Sequence, residues 1–264
     1  MAVLSLKVVD KAENTLCVNS GEDFVDLVHT AEYSDGDRII LESSEKGIHL
    51  IVQIDDAMGP AFLYVKDMIS YQIPFGEKRI CYSPKVFYGS RHYLYARVAR
   101  TEEMEVYRNL ALNPMDQHEN ASYFPHASAN VETRGESVFA AKNAIDGVLA
   151  NRSHGEWPYQ SWGINRQADA CMKVEFGKLV ETDKVVLYTR ADFPHDSWWQ
   201  QVSLSFSDGS EIIWELEKRT DAHVITFDKK RIEWISLGNL IKAEDESPFP
   251  ALTQIEVYGV CGTQ

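Results

Sequence analysis

No stretch of this chain approaches the ~18 uninterrupted apolar residues that a membrane-spanning helix needs, so a helical membrane protein is not expected. Positive charge is scarce: 26 Lys and Arg stand against 40 Asp and Glu, a net charge of −14 that both halves of the chain share. That leaves no basic field for phosphate backbones or anionic lipids, which argues against nucleic acid and membrane surfaces as partners. Cysteine is scarce too. Cys17, Cys81, Cys171 and Cys261 stand far apart without C-x-x-C spacing, which argues against a zinc site or a thioredoxin-like motif. They read as reduced structural thiols, with a Cys171–Cys261 bridge as the alternative. The amino terminus, Met1 to Lys7, lacks a basic start followed by an apolar run of ~7–15 residues. The sequence as given is therefore expected to be cytoplasmic, and a trimmed secreted or cell-surface protein is the alternative.

Helical signal is thin as well. Glu22 to Thr30 and Ser137 to Ile145 have the composition of short helices, but neither is long enough to organise a domain. What is abundant is period-two alternation. Val202, Leu204 and Phe206 face one way and the intervening serines the other; Asp208-Gly209 makes a turn, and Ile212, Trp214 and Leu216 return on a partner strand. Residues 172–176 and 184–190 read as further strands, with Gly177 as punctuation. In the first half, apolar runs at 38–41, 48–52, 62–65 and 93–97 have strand length and are separated by Gly, Pro and charged turns. The expectation is an all-β chain of two jelly-roll sandwiches, residues 1–112 and 113–264. Between Tyr107 and Tyr123 the strand pattern is interrupted by Asn113-Pro114 and a polar stretch.

Two loops of the second half carry most of the chemistry. One holds His154, Glu156, Trp157 and Trp162; the other runs from Arg190 through Asp192, His195 and Asp196 to Trp198 and Trp199. Recognition of a pyranose needs an aromatic face for its C–H surface and planar hydrogen-bonding groups for its hydroxyls, and these loops offer both. Trp198 shares parity with Val202 and is expected to point inward, as is Trp162; Trp199 has the opposite parity and is expected to face a ligand. Arg190, His195, Trp199, His154 and Trp157 are thus expected to line one cleft, with Asp192, Asp196 and Glu156 beside them. For Arg190 a loop-holding salt bridge to Asp192 or Asp196 is the competing role.

The stretch Asn143-Ala-Ile-Asp146-Gly147 and the terminal Gln254-Ile-Glu256-Val-Tyr258-Gly259 resemble the galactose-binding-like β-sandwich family. That family includes the factor V/VIII C-type (discoidin) domains and the family 32 carbohydrate-binding modules, and the resemblance covers about residues 122–259. It implies a carbohydrate ligand held by end loops, with Arg190 at a position of sugar contact. It also implies a structural Ca²⁺ ion held by Asp146 and Glu256, the carbonyls of Asn143 and Val148, and Asn151. The chain departs from the family at Val148-Leu149-Ala150, where polar ligands are usual; a turn capped by the Asp146 side chain is the alternative. No catalytic residue is assigned. Two other readings stay open: a glycoside-acting hydrolase or lyase using Glu156, Asp192, Asp196 or a His as acid or base, and a protein-interaction module.

Overall fold

A computed structural model describes residues 1–150, 154–191 and 197–262. The chain is all-β, and its sheets are antiparallel throughout the described residues. A four-stranded sheet runs in the order Thr15–Glu22, Val3–Val9, Arg38–Ser43, Ile69–Gln72. A five-stranded sheet runs Tyr123–Phe124, Ala61–Val65, Ile48–Gln53, His92–Val98, Phe24–His29. Alternate residues of both sheets, among them Leu4, Leu6, Ile39 and Leu41 from the first and Leu50, Val52, Leu63 and Leu94 from the second, fill one buried core. That is the sandwich the alternation demands: one apolar face per sheet, each covering the other.

The third sheet has eight strands among the described residues, built on the long antiparallel pair Met172–Thr189 and His223–Lys242 with Ala251–Val260 and the hairpin Trp199–Phe206/Glu211–Glu215 beside it. The pairing of the two long strands breaks between Glu175 and Val180, next to Gly177 at a φ of +73°. A side chain at Gly177 would stand 2.4 Å from the Phe124 ring, so both the bend and the close approach require glycine there. Its apolar residues, including Val174, Val185, Leu187, Val202, Leu204, Ile255 and Val257, form a second core.

Three expectations need correction. The segment proposed as a helix at 22–30 contains the strand Phe24–His29, paired with His92–Val98, because Val25, Leu27 and His29 are buried on alternate positions. Tertiary pairing overrides composition in so short a segment. Residues 137–145 form only two 3₁₀ turns, Ser137–Phe139 and Ala141–Ile145. All four cysteines are free, so the Cys171–Cys261 bridge is absent.

The interval 107–123 is also more entangled than a linker. Arg108–Asn109 pairs with the terminal strand, and Leu110 and Ala111 belong to the second core. The chain then turns back: Met115 and Tyr123 belong to the first core, and Tyr123–Phe124 pairs with Tyr64 and Val65. From His126 it returns to the third sheet. A cut between residues 112 and 113 separates the two cores only by leaving pieces of each in the other fragment.

Candidate functional site

Where the strand Met172–Thr189 ends and Ala251–Val260 begins, the loops at 133–139, 154–166 and 245–251 enclose a cavity of about 1040 Å³. Its walls are built locally. The Thr133 hydroxyl accepts a hydrogen bond from the Asn165 backbone N–H at 3.0 Å, tying the first loop to the second. Gly163 lies so close beneath that a Cβ there would meet Thr133 Oγ1 at 2.6 Å and Phe139 at 3.3 Å. Arg134, Asn165 and Arg166 all hold positive φ, at 53°, 49° and 61°, a conformation costly for side chains of this kind.

Two guanidinium–aromatic pairs face the cavity. Arg134 forks onto Glu136, Nε to Oε1 at 2.5 Å and Nη2 to Oε2 at 2.8 Å, and lies 5.5 Å from the Phe139 ring centre. The fork holds the Glu136 carboxyl below the usual carboxylate range, so it stays ionised and accepts hydrogen bonds. Arg166 lies 4.4 Å over the ring of Phe249. Tyr159, His154, Asp245 and Glu246 add to the polar lining.

Among the residues singled out from sequence, His154 is exposed and lines this cavity, and Glu156 is exposed on the same loop without lining it. Trp157 is half-buried and lies outside the lining. Arg190 is only 2% exposed and does not reach the cavity; its Nη1 donates to the Tyr159 carbonyl at 2.9 Å, bracing the 154–163 loop from beneath. Trp199 does not face outward. It is 1% exposed and packs near Trp162, itself buried with its indole N–H on the Val131 carbonyl. The pairing of its strand with His223–Lys242 shifts register on either side of Gln201, and these breaks invert the parity that alternation from Val202 implies. Asn151, Asp192, His195 and Asp196 lie outside the described residues. Arg134, Glu136, Phe139, Asn165, Arg166 and Phe249 escaped the sequence reading. The one local signal for them is Pro248-Phe249-Pro250, an aromatic fixed between prolines before the terminal strand.

The expected calcium clasp has a different occupant. The side chain that reaches Asp146 is Gln254, not Glu256. Gln254 Nε2 donates at 2.6 Å to Asp146 Oδ1 and at 2.6 Å to the Asn143 carbonyl, while its Oε1 accepts from Gly147 N–H at 3.1 Å, which fixes the orientation of the amide. Asp146 also accepts from Gln160 Nε2 at 2.9 Å and from the Val148 backbone N–H at 2.8 Å. Burial pushes its carboxyl up to about 6, against these hydrogen bonds and the nearby charge of Lys142. Glu256, two residues further along the strand, instead lies beside Tyr258 and Lys184. A Ca²⁺ ion needs ~6–8 oxygen ligands, whereas here an N–H donor stands between the two oxygens an ion would share. These residues do not fit a calcium ion.

Added Ca²⁺ is accordingly expected to leave the melting temperature unchanged in a thermal-shift titration. Gln254→Glu would set a second carboxylate against Asp146, a like-charge pair that only a cation relieves. That variant should melt lower than wild type in chelator and recover with Ca²⁺. A calcium-dependent melt of the wild-type protein would refute the hydrogen-bonded clasp.

Elsewhere, Asp55, Asp56 and His92 bring three ligand atoms within 4.8 Å of one another, close enough to chelate a metal ion.

The domain of unknown function DUF7402 matches residues 122–257, just over half of the chain. The chain belongs to the DUF7402 family. No curated protein matches its sequence. Similar solved structures include the family 32 carbohydrate-binding module of C. perfringens NanJ in complex with galactose, with 20% identity over 50% of this chain and 91% of that one and a TM-score of 0.39. Chitosan-binding module 1 from a chitosanase/glucanase of Paenibacillus sp. IK-5 has 19% identity over 57% and 98%, with a TM-score of 0.39. A Streptococcus pneumoniae fucose-binding module has 13% identity over 57% and 94%, with a TM-score of 0.41. Within this DUF7402 chain, the family match contains the loops at 133–139 and 154–166 and stops inside the terminal strand.

Proposed function

We propose that this protein binds carbohydrate in the cavity at the end of the third sheet, and that the binding needs no calcium. The observation that carries the reading is the pairing of each of two guanidinium groups with an aromatic ring on the cavity wall, Arg134 with Phe139 and Arg166 with Phe249. A pyranose presents an apolar C–H face edged with vicinal hydroxyls. The Phe249 ring suits the face, and the planar groups of Arg166, Asn165 and Glu136 suit the hydroxyls. At about 1040 Å³ the cavity is at the upper end of small-molecule pockets, roughly 300–1,000 Å³, and has room for several sugar units. The backbone strain at Arg134, Asn165 and Arg166 supports the same place, since such strain concentrates where a ligand has to be met. An ionised Glu136 locked to Arg134 is suited to accepting hydrogen bonds and unsuited to delivering a proton, which favours binding over hydrolysis.

A glycan-array screen of the whole protein, followed by calorimetry on its best ligand, tests this. Phe249→Ala and Arg166→Ala should each weaken that ligand by about tenfold or more, the loss of a stacking or hydrogen-bonding contact of ~1.4 kcal/mol or more. Both residues sit in exposed loops, so melting temperatures should stay within about a degree or two of wild type. Binding that survives both substitutions would place the glycan elsewhere.

A further inference from the structure

Gln53 pairs with Tyr95 where the antiparallel strands Ile48–Gln53 and His92–Val98 lie side by side, so the residues just after the first strand and at the start of the second share one end of the sheet. Asp55, Asp56 and His92 meet there. Asp55 is buried and held in place, its Oδ1 accepting from the Ala57 N–H at 2.9 Å and its Oδ2 from the Phe87 N–H at 3.0 Å. His92 is buried too, and its Nε2 lies 2.9 Å from the Gly89 carbonyl. A carbonyl only accepts, so Nε2 carries a ring proton, and Nδ1 faces Asp55 Oδ2, 3.4 Å away. A buried carboxylate needs positive charge beside it, which a proton or a metal ion can supply.

We propose that Asp55, Asp56 and His92 bind a divalent transition-metal ion of the zinc or manganese class. A second proton on His92 would also supply positive charge, but it would engage Asp55 alone. An ion uses all three residues, whose ligand atoms lie within 4.8 Å of one another; ligands ~2.0–2.2 Å from a shared ion stand up to about 4.4 Å apart, so a few tenths of an ångström of side-chain movement closes the site. A histidine that donates its other N–H to a backbone carbonyl is oriented as metal-binding histidines are.

An independent observation points to the same spot. The Tyr33 hydroxyl is buried and has no hydrogen-bond partner among the described residues, although its ring lies 4.3 Å from that of His92. Three protein ligands leave coordination positions for water, and an ordered water there would give this hydroxyl an acceptor. One imidazole nitrogen with two carboxylates selects transition metals over Ca²⁺ and Mg²⁺, which favour all-oxygen sites.

The test uses the full-length protein, stripped with chelator and dialysed, with Zn²⁺, Mn²⁺ and Co²⁺ as probes in calorimetry and thermal shift. The wild-type protein should bind one equivalent with a rise in melting temperature, and Co²⁺ should give visible ligand-field absorption. Asp56 is exposed, so Asp56→Ala keeps the fold and should weaken the metal by at least about tenfold. Its glycan binding should match wild type, because the two sites share no residue. A wild-type protein that takes up none of the three ions, or an Asp56→Ala protein that binds them as tightly as wild type, overturns the proposal.

Discussion

Arg190→Ala is expected to lower the stability of the protein by on the order of 3–5 kcal/mol, the cost of dismantling a buried charged group and its partners. Arg190 is 2% exposed and is among the largest fully buried side chains. Its guanidinium holds the Tyr159 carbonyl, and its backbone N–H holds the Ala251 carbonyl at 2.9 Å. Removing the side chain opens a void and leaves the Tyr159 carbonyl without this donor, while the backbone bond to Ala251 survives. Glycan affinity should fall with it, because the loop at 154–163 carries one wall of the cavity. Urea denaturation monitored by tryptophan fluorescence gives the stability, and calorimetry gives the affinity. Arg190→Lys keeps the charge without the planar fork and should recover only part of either. A protein of unchanged stability that no longer binds sugar would make Arg190 a ligand contact and not a brace.

Cutting the chain between residues 112 and 113 should destabilise both products, with neither giving the cooperative melt of the intact protein. The fragment 113–264 loses Leu110 and Ala111 from its core and the edge strand that caps Ala251–Val260. With that strand go two hydrogen bonds to Val257: its N–H donates to the Asn109 side-chain Oδ1 at 3.0 Å, and its carbonyl accepts from the Leu110 backbone N–H at 2.6 Å. Burial of one leucine is worth roughly 2–5 kcal/mol, and the lost ladder adds about 1 kcal/mol per bond. The fragment 1–112 loses Met115 and Tyr123 from its core, and also Gln117, whose side-chain amide pairs with the Gln72 backbone in both directions, at 3.1 and 2.8 Å. A fragment starting at 107 restores the edge strand and should melt at higher temperature than 113–264. Equal melting of the two, by circular dichroism, would show that the terminal strand needs no partner at its edge.

The strands at 38–43, 48–53, 61–65 and 92–98, and the hairpin turning at Asp208-Gly209, were legible because alternation is a local property and each sheet has one apolar face. The strand Phe24–His29 was misread because a six-residue segment has no helical or extended preference strong enough to outweigh its neighbours. Trp199 was misread for a related reason. Parity propagates along a strand only while register is unbroken, and the breaks around Gln201 arise from pairing with a strand more than twenty residues away.

By itself the sequence determined the all-β class, the inward alternation of Ile255 and Val257, and the gathering of aromatic and charged residues into loops of the second half, all of which follow from residue order alone. The tertiary structure decided which of those residues meet. It set Gln254 rather than Glu256 against Asp146, placed Arg190 under the loop it was expected to work beside, and faced the cavity with Arg134, Arg166 and Phe249 from three separate loops. It also joined Asp55 to His92 across a strand pair. The physical reason is one of range: side-chain direction along a strand is fixed within a few residues, whereas a site is made of contacts between segments tens of residues apart, whose register and bends are set by the core they share.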